Sequence, residues 1–111
     1  MKDKFANAFR GVKYAFLDHS VRLQMVLALC AVCAGVILKL ESMEWAAVII
    51  CIGGVLTAEI LNTCIEKVCD MYDSHPNEKI AVIKDLGAGA VLCVSFAALI
   101  TALIILFRHI F

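Results

Sequence analysis

The feature that most constrains this chain is a long apolar segment that runs directly into acidic residues. Residues 45–58 carry no charge, and residues 59–70 then read E-I-L-N-T-C-I-E-K-V-C-D. At about 100° per residue, four polar side chains fall on one helical face, namely Glu59, Asn62, Glu66 and Asp70. A carboxylate at the edge of a hydrocarbon layer is costly unless it meets a partner, water or a cation. The pattern therefore predicts a functional site on this face, which we call the acidic stripe.

Composition places the whole chain in a membrane. Of its 111 residues, 63% are hydrophobic, and the mean hydropathy is +0.94, whereas soluble domains are about 45–50% apolar. The formal net charge of zero says little about partners, because the charges are unevenly spread, and we expect no nucleic-acid partner. Lysines and arginines interrupt residues 1–22, where no signal-peptide pattern occurs. We therefore expect the first apolar segment to be retained.

Hydrophobic patterning predicts an all-α membrane protein. Apolar residues recur at helical spacing over about residues 4–18, which indicates an amphipathic helix lying in the headgroup layer. A soluble packing helix is the alternative for that segment. Three longer apolar segments predict membrane-spanning helices at about residues 22–40, 45–70 and 80–108. No linker or repeat is apparent, so residues 1–111 are treated as one domain.

Individual residues indicate a loop, an interfacial anchor, a tail and close helix contacts. Residues 71–79 are polar and predict a surface loop, with Pro76 in the first turn of the next helix. Trp45 is well placed as an anchor at the membrane interface. His109, beside Arg108, is expected to belong to a solvated tail. Four glycines supply small surfaces for close helix contact, namely Gly53, Gly54, Gly87 and Gly89.

Basic residues are divided unequally between the two sides of the three-span arrangement. The side with the N-terminus and the acidic stripe holds eight, namely Lys2, Lys4, Arg10, Lys13, Arg22, Lys67, Lys79 and Lys84. The other side holds Lys39 and Arg108. Basic residues favour the cytoplasmic side, so we expect the N-terminus and the stripe in the cytoplasm, with the protein in the inner membrane. Three helices surround a polar stripe poorly, which favours a homo-oligomer.

The residue types of the stripe suit phosphoryl transfer. Mg²⁺ prefers one or two carboxylates plus phosphate oxygens to a full protein cage, and Lys84, followed by Asp85, can supply positive charge to a phosphoryl group. A further carboxylate can take the proton of an attacking hydroxyl. Neither a Walker-type nor a kinase-type glycine-rich loop occurs. The alternative is an oligomeric ion or proton transport protein, although its carboxylates would lie nearer the bilayer midplane.

Three stretches carry a family resemblance. They are A-F-R-G-V-K-Y-A-F near the N-terminus, A-E-I-L-N-T-C-I-E-K-V-C-D and K-D-L-G-A-G-A-V-L. Together they resemble the prokaryotic membrane diacylglycerol kinases and undecaprenol kinases. The resemblance implies a homotrimer with composite sites, and Mg²⁺-dependent transfer of the ATP γ-phosphate to a lipid hydroxyl. The acceptor it implies is undecaprenol or diacylglycerol, and the motifs look slightly closer to the undecaprenol kinases.

The same resemblance implies roles for individual residues. Glu59 matches the general base, and Glu66 matches a magnesium ligand that also meets the nucleotide. Asn62 and Asp70 match supporting polar positions. The further nucleotide-binding positions are Lys84, Asp85, His75, Asn77 and Arg10.

One position departs from the family pattern. Family members carry a second metal-binding glutamate after the surface helix, and an ungapped alignment places His19 there. If the chain is one residue shorter at this point, Asp18 takes that place and Arg22 aligns with a family arginine. We favour Asp18 because a hard cation prefers oxygen ligands.

Overall fold

The computed structural model describes residues 2–111 and builds them into four α-helices. The helices are α1 (Lys2–Ala15), α2 (His19–Leu38), α3 (Ser42–Tyr72) and α4 (Glu78–Ile110). The last three are each long and apolar enough to cross a membrane. The predicted architecture, an N-terminal helix followed by three membrane-spanning helices, is therefore confirmed.

Helix length decides where the acidic stripe meets the membrane surface. α3 has 31 residues and α4 has 33, so they are about 46 and 50 Å long, whereas the hydrocarbon core is about 30 Å thick. α2, with 20 residues, only just spans the core. With Ser42 taken as the start of the core, Glu59 lies about 26 Å along α3, close to the far edge of a core about 30 Å thick. The rest of the stripe continues out of the membrane.

The helices pack mainly through α3, which lies against α4 and, over a smaller area, against α2. The buried apolar side chains are few, namely Ala15, Val21, Val55, Cys69, Ile80 and Ile105. Most apolar side chains of the spans point outward, as expected where lipid or another copy covers the surface. α1 likewise leaves Phe5 and Phe9 exposed, in keeping with an apolar face that rests on lipid.

A tight Schellman turn joins α2 to α3. The N–H of Leu40 donates to the carbonyl of Gly35 at 3.2 Å, and that of Lys39 donates to Val36 at 3.3 Å. Lys39 adopts the left-handed conformation, with φ 55° and ψ 59°. A Cβ on Gly35 would lie 2.7 Å from Cη2 of Trp45. The indole, expected as an interfacial anchor, thus also packs over this turn.

The cap residue Lys39 gives a first test. A non-glycine residue in the left-handed region costs about 1 kcal/mol, and glycine avoids this cost because it has no Cβ. We expect Lys39→Gly to raise the free energy of unfolding by about 1 kcal/mol, measured by thermal unfolding in detergent. Lys39→Ala removes the charge and keeps the strain, so it is the control. Equal stability of the two variants would contradict the argument.

The ends of α3 and α4 that lie away from the acidic stripe are joined by an ionic cluster. Glu44 is only 5% exposed. His109 Nε2 lies 2.9 and 3.0 Å from its two carboxylate oxygens, and the Arg108 guanidinium lies 3.8 Å away. Oε1 of Glu44 also accepts the backbone N–H of Glu41 at 3.0 Å. The prediction that His109 belongs to a solvated tail is wrong, because a buried carboxylate must be paired.

The start of α4 also differs from the prediction. Asn77 is the N-cap, and its side-chain oxygen accepts the N–H groups of the second and third helical residues at 2.9 and 3.3 Å. Pro76 therefore lies before the cap rather than in the first turn. The amide side chain can satisfy two N–H groups that would otherwise be orphaned, which a proline at the same point cannot do.

The ionic cluster gives a second test. Removing one partner of a buried ion pair leaves the other charge uncompensated. We therefore expect Glu44→Ala to lower the Tm clearly more than Glu41→Ala, since the Glu41 carboxylate is exposed. The measurement is thermal unfolding of both variants in the same detergent. Equal losses of Tm would show that the pairing of Glu44 contributes nothing to stability.

Candidate active site

The predicted site residues gather at the end of the molecule where α3 ends and α4 begins. The stripe occupies the second half of α3, and Lys84 and Asp85 lie in the first turns of α4. The loop between the helices carries His75 and Asn77, and Asp18 precedes α2. The following contacts decide which of these residues the fold brings together.

Glu59 is nearly buried but has no cationic partner in the described part of the chain. It is 8% exposed, and Nε2 of Gln24 on α2 donates to its Oε1 at 3.4 Å. Lys67, which a purely structural role for Glu59 would use as an ion-pair partner, is exposed and forms no ion pair among the described residues. No cation among the described residues therefore neutralises the Glu59 carboxylate.

An apolar cavity lies directly beside this contact. It has a volume of about 160 Å³ and runs between α2, α3 and α4. Its lining includes Gln24 together with Leu27, Val55, Ala98 and Ile105. Gln24 therefore belongs both to the cavity wall and to the hydrogen bond with Glu59.

Asn62 and Glu66 form the next contact along the stripe. Nδ2 of Asn62 donates to Oε1 of Glu66 at 3.2 Å, one helical turn further on. Oδ1 of Asn62 is buried and finds no hydrogen-bond partner among the described residues. It faces Gly87 of α4, where a Cβ would overlap it. The amide thus fits into the space that the missing side chain of Gly87 leaves.

Among the described residues, Asp18 hydrogen-bonds α3 beside the stripe, whereas no hydrogen bond to α3 is found for His19. Asp18 caps α2, and its Oδ2 accepts the Val21 N–H at 3.4 Å and the Thr63 hydroxyl of α3 at 3.3 Å. Thr63 follows Asn62 directly in the sequence. His19 is exposed on the first turn of α2. Within the described residues, no three His, Cys, Asp or Glu side chains cluster as a metal site. A metal ion bound by carboxylates here would therefore need further ligands from outside the protein chain.

Asp70 and Lys84 connect the end of the stripe to α4. The Lys84 ammonium lies 2.7 Å from Oδ1 of Asp70, and both side chains are partly exposed. A solvated ion pair of this kind is weak, so an incoming phosphate can compete for the lysine. Asp85, the next residue of α4, is exposed.

The loop and α1 hold the remaining predicted positions. The backbone N–H of His75 donates to Oδ1 of Asp73 at 2.9 Å, which lowers the pKa of the Asp73 carboxyl below its ordinary value. The His75 ring is exposed, whereas the oxygen of Asn77 caps α4. Arg10 hydrogen-bonds Asn7 on α1, and no contact with the stripe is found for it in the described chain.

Comparison with known proteins identifies the family. The sequence profile of prokaryotic diacylglycerol kinase matches residues 6–106. The chain belongs to this family. It is therefore a membrane lipid kinase, as the sequence motifs indicate, and the family supports this activity over the transport alternative.

Three relatives show how far the similarity extends. The undecaprenol kinase of Bacillus subtilis is 32% identical over 104 residues, which cover 91% of this chain and 83% of the relative. The diacylglycerol kinase of Escherichia coli is 31% identical over 103 residues, with coverage of 92% and 84%. That of Synechocystis sp. is 34% identical over 98 residues, covering 86% of this chain and 56% of the relative. The chain thus spans about half the length of the last relative.

Two contacts at the candidate site of this kinase were not predicted from the sequence. Gln24 received no role, although it is the one polar residue among residues 23–38, and an isolated polar side chain in a membrane span is itself a signal of function. Thr63 lies inside the motif, but nothing in the sequence indicates that it meets Asp18. Both contacts depend on how α2 lies against α3.

Gln24 gives a third test. Gln24→Met keeps the length of the side chain but removes the hydrogen bond to Glu59, so the carboxylate is less well oriented. We expect kcat to fall about tenfold with little change in Tm. Leu27→Met changes the same cavity wall away from Glu59 and is the matched control. Similar rates for the two variants would mean that Gln24 only lines the cavity.

Proposed function

We propose that this kinase transfers the γ-phosphate of ATP, in the presence of Mg²⁺, to the hydroxyl of undecaprenol or diacylglycerol. The observation that carries the proposal is the environment of Glu59. Its carboxylate is nearly buried, and among the described residues it accepts only a long hydrogen bond from a neutral amide. Glu44, at the other end of the same helix, is held by a histidine and an arginine. Of the two, Glu59 is the one available as a general base.

In the proposed reaction, one proton is transferred, one bond forms and one bond breaks. Glu59 takes the proton of the lipid hydroxyl, and the hydroxyl oxygen bonds to the γ-phosphorus as the bond to the bridging oxygen breaks. ADP leaves, and the product is undecaprenyl phosphate or phosphatidate. Glu59 then returns its proton to solvent. Gln24 orients the carboxylate during the transfer.

The cavity supports a lipid as the acceptor. Its wall is almost entirely apolar, and Gln24 ends it on the side of Glu59. A lipid whose apolar part enters the cavity would bring its hydroxyl towards Glu59. A water-soluble acceptor would lose its hydration in such a cavity, whereas a lipid arrives from a bilayer that is as apolar as the wall, so the cavity favours a lipid alcohol.

The donor chemistry at the stripe fits Mg²⁺. Glu66, with Asp18 as a second ligand, provides the carboxylate oxygens that this ion prefers, and phosphate oxygens would complete the coordination. When bound, the ion supplies positive charge to the phosphates. We favour Asp18 over His19 because, of the two, only Asp18 forms a hydrogen bond with α3 in the described chain. The nucleotide contacts that we assign are Glu66, Lys84, Asp85, His75, Asn77 and Arg10.

We assign a homotrimer to the protein, with the N-terminus and the site on the cytoplasmic side of the inner membrane. The distribution of basic residues supports this orientation. A groove of small residues between α3 and α4, including Gly53, Gly54, Thr57 and Ala90, supports close helix association. Within the described part of the chain, Arg10 contacts no stripe residue of its own protomer. In the trimer, Arg10 would instead reach the stripe of a neighbouring protomer.

The activity test compares two acceptors. The purified protein is given ATP and Mg²⁺ in mixed micelles that contain either diacylglycerol or undecaprenol. We expect phosphate transfer to one of them, and a loss of about a hundredfold or more in Glu59→Gln, because the amide cannot take the proton. Glu41→Gln, which neutralises an exposed carboxylate at the other end of α3, is the control.

Assembly, the identity of the base and the identity of the acceptor are tested separately. Light scattering should show that Glu59→Gln assembles like the unmodified protein, so that its loss of rate reports chemistry. Full activity of Glu59→Gln would exclude Glu59 as the base. No transfer to either lipid, from a protein shown to be folded and oligomeric, would contradict both acceptors.

A further inference from the structure

Gly87 lies where α4 passes closest to the polar side chains of the stripe. We propose that Gly87 is a positioning residue of the kinase site: the missing side chain forms a notch in α4 that orients the Asn62 amide towards Glu66. This inference rests on the proposed function, in which Glu66 is a magnesium ligand. In this role Gly87 acts through Asn62 and need not touch substrate or metal itself.

The orientation of Asn62 follows from hydrogen-bond chemistry. An ionised carboxylate only accepts hydrogen bonds, so the amide must turn Nδ2 towards Glu66 and Oδ1 towards α4. Nδ2 lies 3.2 Å from Oε1 of Glu66. Oδ1 is buried and has no hydrogen-bond partner among the described residues. No polar contact therefore holds this end of the amide, and the shape of α4 at Gly87 has to do so.

A methyl group at Gly87 would act on the amide rather than on the spacing of the helices. It would overlap Oδ1 of Asn62, whereas Cγ of Asn62 and Cδ1 of Ile65 would both stand at 3.5 Å, an ordinary contact distance. The obstructed atom is the end of a side chain that can rotate. Rotation relieves the overlap but carries Nδ2 away from Glu66. The effect should therefore be local to the site.

The other glycines of the described chain do not share this arrangement. Gly53 and Gly89 have nothing within 4 Å of an added Cβ, and Gly54 would meet Val94, an apolar side chain, at 3.2 Å. Gly87 is the one whose missing side chain faces a polar group of the stripe. Gly89, two residues further along α4, is thus a matched control.

The test measures binding of Mn²⁺, in place of Mg²⁺, by electron paramagnetic resonance of the full chain in detergent. We expect Gly87→Ala to weaken Mn²⁺ binding about tenfold, the usual effect of disturbing a group that orients a metal ligand. Gly89→Ala should bind Mn²⁺ as the unmodified protein does. In an Asn62→Ala background, Gly87→Ala should have no further effect, because the amide that it displaces is gone.

A second readout is independent of metal. Gly87→Ala should lower the Tm when Asn62 is present and should leave it unchanged or raise it in Asn62→Ala, because alanine favours helix once the overlap is removed. Unchanged Mn²⁺ affinity in Gly87→Ala, or an equal loss in both backgrounds, would overturn the proposal. If Glu66→Gln binds Mn²⁺ like the unmodified protein, Glu66 is not a magnesium ligand, and this part of the proposed function is contradicted. The Tm comparison then decides the Gly87–Asn62 coupling by itself, and additive Tm changes would overturn it.

Discussion

A carboxylate held against hydrocarbon must be paired or kept in reach of water, and α3 carries two such groups. Glu44 lies at its beginning and Glu59 in its second half, and both are nearly buried. The first is surrounded by His109 and Arg108, which tie the start of α3 to the end of α4. The second has one hydrogen-bond partner within the described chain, Gln24, which is a neutral amide. The same residue type on the same helix is thus structural at one end, whereas at the other it is the group that we propose as the base.

Helix length makes a site at the membrane edge possible. Because α3 and α4 are longer than the hydrocarbon core is thick, their joined ends reach into water while the middle of each helix stays in lipid. The short loop keeps these ends together, so that Asp70 and Lys84 meet across it. A lipid hydroxyl and a water-soluble phosphate donor can both reach such a place. This geometry suits a lipid kinase better than a pathway through the bilayer.

Several side chains at the candidate site also stabilise the fold. Asp18 caps α2 and, through Thr63, fixes the start of that helix against α3. Asn77 begins α4 while lying in the loop to which we assign nucleotide contacts. Asn62 packs against the backbone of α4 at Gly87 and donates to Glu66. In a small membrane protein with little buried interior, residues that cap the helices or pack between them therefore also set the geometry of the candidate site.

The sequence by itself determined the features that depend on local periodicity. The spans follow from runs of apolar residues, and the acidic stripe follows from the helical repeat, which places Glu59 and Glu66 on one face whatever surrounds them. Only the tertiary structure decided which distant residues they meet. Gln24 is 35 residues away from Glu59, and His109 is 65 residues away from Glu44. These pairings depend on the rotation and depth at which whole helices pack, and no local pattern encodes that geometry.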